Sequence, residues 1–423
     1  MLFLGRDLRH KVVEIESMKQ TKHGQLLRWF CLRCPRFDLV ALGTVALLMF
    51  TNTVHGQTVT VAGFAYGGEF AGASQRFPLA ASAIDKYKFE DQSGTHALSR
   101  KVVQLAQKAK AEQITVNTTQ LANLKSSDQA LVVALVLTNE TTLIEQFTQY
   151  TKIFVSLHAE ALLFDFKAQT VLRSYPINVV IYDAKPTRPS PGDLEALVGQ
   201  LIFADDGKSL VYQFSKKLEQ LSIPPPGTKT VQVRKSDISA EALAAFPKPL
   251  QSSGVAQTIL LDTFSTALSS RTGVPIIPSR ISHTTGVMKV RFEDTYQYEL
   301  KIPEGDYVFD IALKRFAKLQ HSKSNVGSAY IYGAFVGIHF QEPMLNTTYF
   351  NSELKNGEVA VVPAGRETAD DFPAYQDAMR GLFTKLSDAI QKQDLHWIRT
   401  AANAPDIQNQ LKVTREILEG CKK

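Results

Sequence analysis

The chain of 423 residues carries 47 basic and 41 acidic side chains and only three cysteines. Residues 1–56 hold 8 basic and 4 acidic groups, which leaves 39 against 37 in the remainder. A near-neutral body without a basic stripe excludes the electrostatic footprint of a nucleic-acid-binding protein. A lone cysteine after residue 56, Cys421, excludes an intramolecular disulfide there.

Residues 37–57, FDLVALGTVALLMFTNTVHGQ, place an apolar core, Leu39 to Phe50, behind a basic flank. That core is shorter than the ~20 residues needed to span a bilayer, so it reads as an export signal. Cleavage after Gly56 leaves Gln57 as the new terminus, and Met18 offers a second start. An uncleaved signal would instead anchor the chain. Cys31 and Cys34 form a CxxC pair ahead of the core and leave with the leader, which makes the pair incidental.

After the leader, Val59 to Phe70 reads VTVAGFAYGGEF, an edge strand whose glycines permit close backbone approach or bulging. Such a strand either closes its own sheet or presents Phe64, Tyr66 and Phe70 to a partner. Leu131 to Leu137, LVVALVL, is the unbroken apolar run of a strand buried on both faces. Strands are expected again at Ile153 to Phe166 and Asn178 to Tyr182. His158 and Glu160 lie two apart on the first of these and share a face. They are candidates for a metal site, although a hydrogen-bonded structural pair explains them as well.

Ser190-Pro191-Gly192-Asp193 caps a helix with Leu194, Leu197, Val198, Leu201 and Ile202 at helical spacing. A second amphipathic stretch follows over Leu210 to Leu221. Gly207-Lys208-Ser209 imitates a phosphate loop, but Ile202 stands where that loop needs its first glycine. Pro224-Pro225-Pro226-Gly227 is stiff and donor-poor, and it divides a first module, 57–223, from a second, 229–395, through a linker at 224–228.

The second half repeats the plan. A helix over Ile259 to Leu268 stops at Gly273 and Pro275. Strands follow at Tyr307 to Leu313, Tyr330 to Phe340 and Glu358 to Pro363, with Asn351 to Gly357 as a polar turn. Asp370-Asp371 and Pro373 open a helix with Tyr375, Met379, Leu382, Phe383, Leu386 and Ile390 on one face. Residues 396–423 form a helical tail. Equivalent landmarks in the two halves are displaced by roughly 175 to 185 residues, as an internal duplication would leave them. The class is α+β, two modules of mostly antiparallel sheet faced by amphipathic helices.

No assembled catalytic or cofactor motif accompanies this organisation. Ser352 and Lys355 match SxxK, but its companion motifs are absent, as are GxSxG and GxGxxG. His339 and Glu342 repeat the isolated pairing of His158 and Glu160. Three Asn-X-Thr triplets, at Asn117, Asn139 and Asn346, fit glycan acceptors only in a eukaryotic source. The sequence therefore points to an exported, non-enzymatic protein without cofactor, periplasmic in a bacterium or secreted. It would bind an envelope protein or cell-wall component, and touch membrane only peripherally or through an uncleaved signal. The alternative is an exported hydrolase or metal-dependent enzyme assembled in the fold from His158, Glu160, Asp165, His339 and Glu342.

Overall fold

The computed structural model describes residues 57–68, 73–90, 97–111, 114–117, 131–146, 150–251, 254–279, 286–292, 297–364 and 371–422. The leader 1–56 with its cysteine pair, and Phe70, lie outside them. In chain order the elements are β1 (Gln57–Gly67), α1 (Ala73–Arg76), α2 (Pro78–Glu90), α3 (Ala97–Lys108), β2 (Ile114–Asn117), β3 (Leu131–Gln146), β4 (Thr151–Asp165), β5 (Thr170–Lys185), α4 (Pro191–Phe203) and α5 (Leu210–Glu219). The second half contributes β6 (Val231–Ile238), α6 (Ala240–Ala244), α7 (Val255–Thr272), β7 (Val287–Phe292), β8 (Gln297–Lys301), β9 (Tyr307–Ser324), β10 (Gly327–Glu342), β11 (Thr347–Pro363), α8 (Phe372–Lys392), α9 (Ile398–Ala401) and α10 (Ile407–Gly420). The fold is α+β, with a seven-stranded and a four-stranded sheet. Among the described residues no helix is long and apolar enough to cross a membrane.

The unbroken apolar run at the start of β3 has a direct cause. β3 lies inside the first sheet, between β1 and β4. Val133, Leu135 and Leu137 face a core built with α2, α3, α4 and α5. Val132, Ala134 and Val136 face a second, smaller core that includes Met288, Val290 and Leu300 from β7 and β8. β7 pairs with β1, and β8 meets β5 at one bridge, Thr170 with Lys301, so the strands return upon themselves around that second core. β7 and β8 come from the expected second module yet belong to the first sheet. The Pro224–Gly227 segment lies in the connection between α5 and β6.

The glycine-rich start is a bulged strand. The register of β1 against β3 shifts between Val61 and Phe64, and Gly63 between them has φ +92°. Ser99 of α3 packs on that glycine, and its hydroxyl accepts a hydrogen bond from the Phe64 N–H at 3.0 Å. The bulge thus brings a helix against backbone.

The second sheet has the order β11-β10-β9-β6, with β6 parallel to β9 and the rest antiparallel. The first sheet contains the same series, β5-β4-β3-β1, again with only the last pair parallel. Strands β1, β3, β4 and β5 begin 174, 176, 176 and 177 residues before β6, β9, β10 and β11. One face of the second sheet drives Phe309, Ile311, Val336, Ile338, Phe340 and Leu354 into a core shared with α6, α7, α8 and α10.

Two local readings change. Asn351–Gly357, expected as a polar turn, is the middle of β11. Ser352, Leu354 and Asn356 are buried while Asn351, Glu353 and Lys355 are exposed, an alternation that looks like turn composition because its outer half meets water. Ser352 and Lys355 consequently face opposite ways. Asp371 precedes α8 without a side-chain cap and accepts instead from Lys318 and from the Tyr332 hydroxyl at 2.7 Å, fixing the helix start to the sheet. The tail is two helices. The C-terminal end of α10 is held by Arg173 of β5, a buried cation that donates to the carbonyls of Cys421 at 3.4 Å and Lys422 at 3.3 Å.

A methyl group at Gly63 would lie 2.6 Å from Ser99 Cβ in a backbone conformation that side chains avoid. Gly63→Ala is expected to destabilise the protein by on the order of 2 kcal/mol or more, read as a lowered urea midpoint.

Candidate functional site

His158 and Glu160 do share a face, the one that β4 turns toward α7. A bulge in β3 prepares the site. Its register against β4 skips Thr138, whose carbonyl accepts from Arg76 at 3.0 Å and whose hydroxyl donates to the His158 carbonyl at 3.2 Å. Asn139 then reaches Asp262 of α7 at 3.5 Å. His158 Nε2 stands 3.5 Å from the same carboxylate, and its Nδ1 is 3.5 Å from the Thr266 hydroxyl one helical turn further. Glu160 is engaged elsewhere, accepting from the Ser174 hydroxyl at 2.6 Å.

Burial sets the protonation states. It pushes the Asp262 carboxyl up to about 7, against the Asn139 hydrogen bond and the Arg76 charge. It pulls the His158 imidazole down to about 4, against the Glu160 charge. Glu160 is raised too, by burial first, with the Ser174 bond opposing. A neutral imidazole therefore faces a carboxyl that gains its proton near neutrality.

The space beside these groups is small. One cavity of about 30 Å³ is lined by Arg76, Glu160 and Asp262, and another of about 30 Å³ by His158, Asn178 and Arg380. Each holds about one water, whereas ligand sites run to ~300 Å³ or more. Among the described residues no group of three His, Cys, Asp or Glu side chains is placed to hold a metal ion. The arrangement joins sheet to helix with hydrogen bonds.

The other candidates are scattered. Asp165 accepts from the Lys167 and Ala168 N–H groups at 2.8 Å each and so fixes the turn after β4. His339 is on the second sheet, 3.0 Å from the Thr348 hydroxyl. Glu342 accepts from Tyr349 at 2.9 Å. β1 is an interior strand, paired on both sides. Phe64 is fully buried, edge-on to Tyr66, whose ring stacks on Phe77. Core packing accounts for both, and the partner-facing role considered for them has no exposed surface at Phe64 to support it.

The surface that stands open is the other face of the second sheet. β9, β10 and β11 extend as a three-stranded wing, and direct cross-strand partners share a face. Leu319, Ile331 and Val359 form one row; Ala329 and Val361 form the next toward the hairpin. Leu319 is 65% exposed, Val359 62% and Val361 68%, and Val326 at the hairpin 82%. In the opposite direction come the row of Ala317, Gly333 and Gly357 and then Arg315, Phe335 and Lys355, with the Arg315 guanidinium 3.8 Å from the Phe335 ring centroid. The signal was present in Glu358 to Pro363, where valines occupy both parities of a short strand. One parity must then meet water or a partner.

No family model and no curated protein matches the chain. Among solved structures, it is similar to a Helicobacter pylori protein described as a neuraminyllactose-binding hemagglutinin homologue, at 14% identity and TM-score 0.25, over 46% of this chain and 92% of that one. It is also similar to a DUF330-family protein from Xanthomonas campestris, at 13% identity and TM-score 0.23, over 41% of this chain and 91% of that one. Both are distant likenesses.

The buried pair carries a pH signature. Asp262, raised in the fold, costs stability as pH climbs from its unfolded value near 4 through about 7; His158, lowered in the fold, costs stability as pH falls from about 6.5 through about 4. Asp262→Asn should therefore gain stability relative to the parent between pH 4 and 7, by on the order of 2 kcal/mol. His158→Gln should gain relative stability in the opposite direction, as pH is lowered. Urea midpoints across pH check both; parallel profiles for all three proteins would remove the burial account.

Proposed function

We propose that the chain is an exported, non-enzymatic protein of the bacterial envelope that docks another envelope component on the open face of its second sheet. The observation that carries this reading is the wing of β9, β10 and β11, where a contiguous apolar surface is left in solvent. Soluble proteins seldom keep such a surface without a use. The apolar segment Leu39 to Phe50 behind its basic flank supports export. The separation of Asp165, His339 and Glu342 from the His158 seam weighs against the enzyme reading, as do the two cavities beside that seam, each with room for about one water. The shared strand order of the two sheets, at a nearly constant offset, supports an origin by duplication.

The test is photo-cross-linking in living cells. A cross-linkable residue at Val359 is compared with one at Lys412 on α10, in a C-terminally tagged chain recovered from the envelope fraction. We expect an adduct at 359 that is missing at 412, on a protein beginning at or near Gln57. Identical patterns at the two positions would sink the docking face.

A further inference from the structure

We infer that the component docked on the wing is an anionic lipid surface. This rests on the docking reading above and names its partner. The exposed positions of these rows are aliphatic, Leu319, Val359 and Val361 with the half-buried Ile331 between them, and the hairpin end carries Val326. None of the four rows from Val361 to Lys355 contains a carboxylate. Glu358 faces the other way, toward Lys385 at 2.9 Å, and Glu353 lies one row beyond Lys355.

Charge enters at one end only. Arg315 and Lys355 flank Phe335, and Lys314 reaches over the same face, its Cε 3.4 Å from where a side chain would begin at Gly337. Same-face rows are ~7 Å apart along a strand, so this cationic belt lies about 13 Å behind the row of Ile331. With the open face laid along a membrane, its aliphatic rows meet the headgroup and acyl boundary, which interfacial apolar faces enter by ~5–10 Å, and the belt further along the strands meets lipid phosphates. Lys323, beside the hairpin on the reverse side, has a stem long enough to keep its ammonium in water. A protein partner fits less well. Protein hot spots favour exposed aromatic anchors, and the one aromatic ring in these rows, Phe335, lies under Arg315.

The experiment is flotation of the full chain with vesicles of phosphatidylcholine alone, or with about a third phosphatidylglycerol. Binding is expected to need the anionic lipid and to fall with added salt. Val359→Asp/Val361→Asp and Lys314→Glu/Lys355→Glu should each lower the bound fraction about tenfold or more, since each cation near a charged surface is worth roughly fivefold. The segment before Gln57 is common to every protein compared, so the differences report the wing. Should the valine variant lose its cooperative melt, the lysine variant at exposed positions decides. Equal flotation of parent and lysine variant, or equal flotation with both vesicle types, overturns the proposal. Absent flotation together with a protein adduct at position 359 overturns the lipid and leaves the docking face standing. Absent flotation with no adduct removes both.

Discussion

Helix α7 is the element both sheets depend on. It packs against α8 and β6 on one side and β5 on the other. Its apolar residues Leu260, Phe264 and Leu268 enter the core of the second sheet, where Phe264 stands edge-on to Phe309 and Phe383 at 5.2 Å. Its remaining side meets the first sheet with Asp262 and Thr266. An all-apolar contact there would bind as well and specify less, because Asp262 has acceptable partners only where Asn139 and His158 are found. Alignment of the two sheets is thus tied to a handful of polar atoms with little room beside them.

The rest of the fold follows from which faces receive helices. Helices α2 to α5 cover one face of the first sheet. Its second face is divided between the β7–β8 hairpin and the helices of the following half. That division explains why Val132 to Leu137 is apolar throughout whereas the same strand turns polar at Thr138. The hairpin covers the first stretch and α7 the second.

Much of this was legible in the residues. Ser190 and Asp193 form the expected reciprocal cap, Gly273 ends α7 in the left-handed conformation, and the periodic apolar positions of α4, α5 and α8 are buried, apart from the half-buried Leu194, Leu197 and Tyr375. β7 and β8 were missed because each is short, and the seam stayed hidden because Asp262 is 104 residues from His158. Only the fold brings a carboxylate from a largely apolar helix to an imidazole on an apolar strand. Phe64 and Tyr66 misled for a related reason: a glycine-rich aromatic strand reads as an edge, while the bulge at Gly63 in fact lets α3 approach an interior strand. β9 and β11 run beyond the expected strands because their further stretches are largely polar, with Lys314, Arg315, Lys318 and Gln320 in β9 and Asn351, Glu353 and Lys355 in β11.

The repeated strand order gives the open face a further meaning. In the first sheet the corresponding face accepts the next layer of helices, so the second sheet is where the stack ends. Terminal units of layered proteins are kept soluble by a polar outer surface. The part of the open face nearest the hydrogen-bonded body obeys this, with Asp310, His339, Gln341, Asn351 and Glu353 facing out. The wing does not. Its aliphatic rows begin only beyond Arg315 and Lys355, toward the β9–β10 hairpin. A terminal cap left over from duplication would be polar throughout. The change from polar to apolar along a single face is instead what the proposed docking surface would require.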